Sequence, residues 1–382
     1  MKIRLPILGA TFLFCVLLCP GLSCGTEPGN LADDLSTDSL REAVGHSLEY
    51  LRSQPPERSV RLCGDHYDNS WLLDSLESFD KLLGRHGATG PEFEQQVRKQ
   101  FEICSASSRE NLLVTGYYEP EVDGSLTKTS KYRYPLYRVP SDLVIRNGRI
   151  GRLRKGKIIP YWSRRELEQA NRLKGLELVY LADPMDCFTL QVQGSGRIRL
   201  PDGKIRRVHF AAKNGRPYRS IGRLLVNEGR MDLKAVTMPS IRAYLADHPK
   251  EIARVLRYND SFIFFRWGGA AKTPAGNLGE PLTAGRSVAL DQSRYPAGAL
   301  GYLSSEKPRV DANGQVTEWV PMARFVLNQD SGSAIKGANR LDMFWGGDSY
   351  AEIAAGNMKH PGKLYFLIKK QQRADNQQRG KL

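Results

Sequence analysis

Histidine is scarce in this chain of 382 residues, and its six copies (His46, His66, His86, His209, His248, His360) are scattered without metal-site spacing. Cys63-x-x-His66 has no second pair to complete such a site. No Gly-x-Ser-x-Gly elbow occurs, so the nucleophile of that hydrolase class is missing. Gly151…Gly156-Lys157 approaches a phosphate-binding loop, but Ile158 stands where Ser or Thr is required and no strand–helix context surrounds it. No internal repeat is present. After the apolar run Leu5 to Leu22 no second segment is long enough to span a bilayer. These absences leave carboxylates as the best remaining chemistry, with neither metal nor cofactor expected.

Acidic residues are also in deficit, 41 against 56 Lys and Arg, giving a net charge of +15. Such a balance favours an acidic partner: nucleic acid, anionic lipid or a carboxylate-rich polymer. The N-terminus narrows the choice. Met1-Lys2-Ile3-Arg4 is a cationic head, and the apolar run ends in Gly21-Leu22-Ser23-Cys24, the pattern of an export signal over residues 1–24. Export demotes nucleic acid. Cys24 resembles a lipid-attachment cysteine, whereas Gly21 stands where a larger aliphatic is usual, so ordinary signal cleavage stays open. The expected location is the periplasm, with a lipid anchor in the outer membrane. Cys15, Cys19 and Cys24 belong to the export segment. In an oxidising compartment Cys63 and Cys104 are candidates for a disulfide worth about 3–4 kcal/mol; the alternative is three buried thiols. Cys187 reads as core.

Apolar spacing predicts helices over Ser39 to Arg52, Ser70 to Gly84 and from Pro91 onward, packed together and carrying no visible chemistry. Strand character begins at Leu112 to Pro120. Phe188, Leu190 and Val192 alternate with Thr189, Gln191 and Gln193, which predicts a half-buried strand showing two glutamines, turned by Gly194-Ser195-Gly196. A hairpin follows over Ile198 to Phe210, then three helices between Ser220 and Tyr258, then strands from Ser261 to Lys369 with one helix near Ser349 to Lys359. Many short strands suggest a small closed barrel. The polar tail 371–382 reads as disordered.

The informative stretch is Gln329-Asp330-Ser331-Gly332-Ser333-Ala334-Ile335-Lys336-Gly337, a short turn, then Arg340-Leu341-Asp342-Met343-Phe344-Trp345-Gly346-Gly347. Asp-Ser-Gly most often caps its own turn. Here a second carboxylate follows, and paired carboxyls can divide acid work from orienting work when their surroundings push their proton affinities apart. Met343, Phe344 and Trp345 are the expected apolar wall, and Trp345 a flat face for a sugar ring.

Together with Gly116-Tyr117-Tyr118-Glu119-Pro120, Leu181-Ala182-Asp183-Pro184, Thr189 to Gly196, Lys213-Asn214-Gly215-Arg216-Pro217-Tyr218, Phe264-Phe265-Arg266 and Pro281 to Ser287, this stretch resembles the membrane-bound lytic murein transglycosylase A family over about Leu112 to Ile368. The C-terminal part is similar to its three-aspartate domain, whose pattern falls on Asp291, Asp330 and Asp342. The resemblance implies a mainly β fold with N-terminal helices: a double-psi β-barrel interrupted by a second β-rich domain, with a groove between them. The corresponding divisions are 25–119 (helices and first barrel strand), 120–272 (insertion) and 273–370 (remaining barrel). It further implies a carbon–oxygen lyase that cleaves the β-1,4 bond between N-acetylmuramic acid and N-acetylglucosamine, leaving a 1,6-anhydro sugar. Asp342 carries over as the single acid/base, Asp330 as its tuning partner and Asp291 as part of the pocket. Expected glycan contacts are Thr115, Tyr117, Gln191, Gln193, Ser195, Asn214, Lys336 and Trp345. The protein is expected to act as a monomer, its basic surface suiting a polymer whose peptide stems carry carboxylates. A non-catalytic wall-binding barrel and a true hydrolase are the competing readings. Ser331-Gly332-Ser333 and the length of the turn through Asn339 depart from the family pattern without removing a carboxylate.

Overall fold

The computed structural model describes residues 28–106, 112–269 and 273–371. The export segment, Cys24 and nearly all of the tail lie outside the described residues.

The chain opens with α1 (Thr37–Ser53), the hairpin β1 (Ser59–Leu62) and β2 (Asp65–Asp68), then α2 (Asn69–His86), α3 (Pro91–Gln100) and β3 (Phe101–Ser105). Ser36 and Asp68 cap α1 and α2 by accepting from backbone N–H groups, and Pro91 opens α3 at a position that needs no donor. Sequence periodicity identified all three helices; the β1–β2 hairpin and β3 are short polar–apolar runs that it missed. A disulfide joins Cys63 to Cys104, with Cα atoms 5.4 Å apart. It ties the loop of the hairpin to β3.

After β4 (Leu112–Tyr117) comes the insertion: β5 (Glu121–Ser125), β6 (Tyr134–Tyr137), β7 (Val144–Arg146), β8 (Arg149–Arg154), β9 (Lys157–Ile159), α4 (Arg164–Gln169), β10 (Glu177–Leu181), α5 (Pro184–Gln193), β11 (Ser195–Arg199), β12 (Ile205–Lys213), α6 (Ile221–Asn227), α7 (Met238–Asp247), α8 (Ile252–Leu256) and β13 (Ile263–Trp267). Its main sheet runs β13-β12-β11-β5-β10-β6, while β7, β8 and β9 form a separate small sheet. Here one expectation fails. The segment carrying Gln191 and Gln193 is the helix α5, not a strand. Asp183 caps it, Pro184 occupies its first turn, and Gly194 ends it in the left-handed conformation (φ 84°). Met185, Cys187, Phe188, Thr189, Leu190 and Gln191 are all buried, so apolar residues surround the helix and the alternation carried no information.

The chain then returns with β14 (Ser287–Ala289), β15 (Leu300–Val310), β16 (Val316–Asp330), β17 (Arg340–Phe344), α9 (Ser349–Asn357) and β18 (Lys359–Lys369). Strands β15-β16-β14-β17-β4-β18 form a ring, because β18 also pairs with β15; β3 is added on the outside of β18. The pairs β14–β16 and β17–β4 are parallel. The fold is therefore mainly β with N-terminal helices and a closed barrel built from chain on both sides of the insertion.

The helices pack on the barrel through the rings of Phe79, Phe93 and Phe325, whose centroids lie 5.1–5.8 Å apart. Two ion pairs, the first of them fully buried, fix the chain entering α1. Arg286 donates to both oxygens of Asp33 (2.6 and 2.8 Å) and to Phe325 O, and Arg324 grips Asp34 in the same forked way (2.8 and 2.8 Å). The side chains of Arg286 and Asp33 are wholly inaccessible. Removing one member leaves a buried charge without its partner. Asp33→Ala should therefore lower unfolding free energy by about 3–5 kcal/mol in urea titration, with an unchanged far-ultraviolet spectrum in the absence of urea.

Candidate active site

Strand pairing assembles the site. In the parallel β4–β17 pair Thr115 lies opposite Asp342 and Tyr117 opposite Phe344, while on the other side of β17 Asp342 faces Ala289 of β14. Alternation sends Leu341, Met343 and Trp345 into the barrel and leaves Arg340, Asp342 and Phe344 on the outer face. Gly116 is a steric necessity: a Cβ there would lie 2.7 Å from the Trp345 ring and 2.8 Å from the backbone of α9 at Ala355.

Thr115 Oγ1 donates to Asp342 Oδ1 at 2.8 Å. Among the described residues the other oxygen, Oδ2, has no partner. Asp330 is held throughout: the Tyr117 hydroxyl donates to Oδ2 (2.8 Å), and the backbone N–H groups of Asn277 (2.9 Å) and Ser331 (2.8 Å) donate to Oδ1. Asp291 is also held. Ser293 donates twice to Oδ1, and Gly337 N donates to Oδ2 at 2.8 Å. Lys336 Nζ sits 3.7 Å from Asp291 and is otherwise exposed. Asp291 thus organises the turn that feeds β17.

Electrostatics separate the three acids. Burial pushes the Asp342 carboxyl up to about 6; the Thr115 hydrogen bond and the Arg340 charge oppose this, and the neighbouring Asp330 adds to it. Burial also raises Asp330, against the donors Tyr117, Ser331 and Asn277. At Asp291 burial is outweighed by the Gly337 and Ser293 hydrogen bonds and the Lys336 charge, which hold it below the ordinary value. The Tyr117 phenol is raised well above its usual range by burial and by both Asp330 and Asp342. It remains a neutral donor.

The site thus gathers Asp342, Thr115, Tyr117 and Asp330, with Asp291 and Lys336 at its edge. Other candidates lie elsewhere. Trp345 is 7% exposed; its ring N–H points at Met358 Sδ (3.3 Å), so it is core and offers no face to a sugar. Met343 is likewise interior, which leaves Phe344, 5.3 Å from the Tyr117 ring, as the apolar wall. Gln191 is buried in α5 and accepts from Arg164 (2.6 Å). Asn214 is 1% exposed and has its amide filled by Trp162 O and Asp260 O and its oxygen by Arg216 N and Phe262 N. These two residues hold the insertion together. Gln193 braces the linker by accepting from Tyr118 N (3.1 Å), and Ser195 opens β11 opposite His209.

Sequence reasoning missed Arg340, although period-two spacing puts it on the same strand face as Asp342. It also missed Tyr218. Burial raises this phenol, while Arg164 and Arg340 both lower it. Tyr218, in the Lys213–Tyr218 loop of the insertion, therefore feels the charge of Arg340 on β17. A cleft of about 480 Å³ lies elsewhere, lined by residues including Tyr118, Asp186, Arg242 and Glu352 but by none of the three aspartates. No group of three or more His, Cys, Asp or Glu side chains suited to a metal occurs among the described residues.

Residues 113–266 match the family described as MltA specific insert domain, and residues 286–368 match the 3D domain. The membrane-bound lytic murein transglycosylase A of Escherichia coli K12 is 32% identical over 269 residues, covering 70% of this chain and 68% of that protein. This chain belongs to the membrane-bound lytic murein transglycosylase A family. The Vibrio cholerae relative of the same name is 31% identical over 302 residues, covering 78% and 73%. Among solved structures of this family, a membrane-bound lytic murein transglycosylase from Agrobacterium tumefaciens superposes with a TM-score of 0.71 at 32% identity, covering 87% of this chain and 93% of that one. E. coli MltA with bound chitohexaose gives 0.68 at 25% identity, covering 90% and 93%.

The elevated Asp342 carboxyl has a thermodynamic consequence. Its folded value lies above its unfolded one, so its contribution to stability is full below about pH 4 and is lost as pH rises through about 6. Asp342→Asn should match the parent near pH 3.5 and exceed it by about 2–3 kcal/mol at pH 7.5 in denaturant titrations.

Proposed function

We propose that this protein is a peptidoglycan lytic transglycosylase with Asp342 as its single acid/base. Asp342, protonated, donates to the oxygen of the β-1,4 bond between N-acetylmuramic acid and N-acetylglucosamine. The N-acetylglucosamine leaves with that proton. The carboxylate so formed takes the proton of the muramic C6 hydroxyl, whose oxygen bonds to C1 and closes the 1,6-anhydro ring. Proton count and charge balance without a water molecule, and Asp342 ends as it began.

The observation that carries this reading is the inequality of the three acids. Both oxygens of Asp330 and of Asp291 are occupied by donors, whereas Asp342 keeps one oxygen unpartnered and a proton affinity near neutrality. A hydrolase of the usual kind needs a second carboxylate at work on water or on the sugar; here the others are tied down. A barrel that only binds wall polymer has no use for an acid raised in this way. Thr115 orients Asp342 through its hydrogen bond, and Tyr117 keeps Asp330 in place. Glycan binding is supported by the chitohexaose bound to the E. coli relative, and we place the glycan in the gap between β17 and the Lys213–Tyr218 loop. We assign the protein to the cell envelope, where lipidation at Cys24 would supply an anchor.

Digestion of purified peptidoglycan followed by mass spectrometry tests the assignment. Anhydro ends from the parent and none from Asp342→Asn are expected; reducing ends, or activity retained by the variant, would refute it. Because the reaction starts from protonated Asp342, kcat/KM should fall as pH rises through about 6. Thr115→Val removes the hydrogen bond that lowers this carboxyl, so the alkaline limb of the profile should move to higher pH.

A further inference from the structure

From Leu143 to Arg165 the chain contains no acidic residue, yet it carries Arg146, Arg149, Arg152, Arg154, Lys155, Lys157, Arg164 and Arg165. The first six lie on the small sheet β7-β8-β9. Five of them, Arg146, Arg149, Arg154, Lys155 and Lys157, are exposed. None of the five is paired with a carboxylate among the described residues. The sheet is built from two tight hairpins whose turns, Asn147-Gly148 and Lys155-Gly156, hold both residues at positive φ (50° and 73°; 49° and 74°). It is also braced. Arg152 stacks on Trp162 at 3.7 Å, and Arg172 lies 3.7 Å from the same ring.

The position of this sheet gives the charge its meaning. A Cβ on Gly215 would lie 2.8 Å from Ile150 Cβ, so β8 is seated on the Lys213–Tyr218 loop. That loop brings Tyr218 within reach of the Arg340 charge beside Asp342. Ile150 thus places the cationic sheet beside the loop proposed to form one rim of the glycan gap.

We propose that β7-β8-β9 is a docking arm for the carboxylates of the peptide stems carried by the glycan strand, an inference that rests on the peptidoglycan reading above. Five like charges kept apart from acids on a rigid sheet attract a polyanion and raise its local concentration at the rim. An anionic membrane is the competing partner, since Ile145 (58% exposed) and Leu153 (49% exposed) flank the cations. Pairing argues against it. Ile145 lies opposite Ile150 and so shares its face, whereas Leu153, three residues beyond Ile150 on the same strand, points the other way. The two apolar side chains do not form one insertion surface.

The test compares the full chain with a variant carrying Arg146→Gln, Arg149→Gln, Arg154→Gln and Lys157→Gln; Lys155 is left because of its positive φ. Binding is measured to intact sacculi, to sacculi whose stem carboxylates are capped as amides, to glycan stripped of peptide by an amidase, and to phosphatidylglycerol vesicles. The variant should lose on the order of tenfold in affinity for intact sacculi and nothing for stripped glycan. For the unaltered protein, capping the carboxylates or raising the salt should give a comparable loss; this arm stands even if the variant folds poorly. Equal losses on intact and stripped glycan, no loss on either, or a loss confined to vesicles would overturn the proposal. Anhydro ends are scored separately on stripped glycan, so their absence from the unaltered protein would strike at the reaction and not at the docking arm.

Discussion

The parallel contact between β4 and β17 is the constraint on which the site depends. Thr115 and Asp342 are 227 residues apart in the chain and 2.8 Å apart across the strands. Neither strand means much without the other. Parallel neighbours need a long connection, and here that connection is used to carry a whole sheet-and-helix insertion. It leaves the barrel at Tyr118-Glu119-Pro120, immediately after the two residues that steady Asp342 and Asp330. The junction is stitched on both sides. Glu119 N donates to Gly346 O and Trp345 N to Tyr117 O, while the Glu119 carboxylate, buried, meets Arg207 of β12 at 3.1 Å. The insertion is thereby bonded to the end of the strand that holds the acid.

Around that contact the protein divides three similar side chains into different tasks by the donors it gives each. Saturating a carboxylate with backbone N–H groups fixes it in space and favours its anion; burying it with a single hydroxyl donor favours the neutral acid. Asp291 is the first kind and Asp342 the second. Asp330 stands between them, buried enough to be raised yet anchored at both oxygens. The distinction is made by local backbone geometry: the Gly337 turn, the Asp330–Ser331 corner and the approach of Asn277.

Much of this was legible in the sequence where a local rule governs. Apolar periodicity located the N-terminal helices, and Asp330 and Asp342 stood out in their own stretch, while Asp291 came from the family resemblance. The failures share a cause. Gln191, Asn214 and Trp345 have side chains suited to sugars, but their partners are supplied by distant chain: Arg164 for Gln191, Asp260 for Asn214, Met358 for Trp345. Residue type cannot reveal that a donor is already spent. Conversely Arg340 was visible by strand alternation, whereas Tyr218 became apparent only once the insertion had folded back toward β17.

The last strand, β18, lies between β4 and β15 and also carries β3 on its flank. It is the closing stave of the barrel, and it is the last strand among the described residues. A chain synthesised N-terminus first therefore leaves the facing edges of β4 and β15 bare until residues 359–369 have been made. Cys63 and Cys104 emerge much earlier and can meet beforehand. Maturation of this enzyme has a built-in delay between its covalent cross-link and its completed cylinder, an interval in which bare strand edges are open to wrong partners.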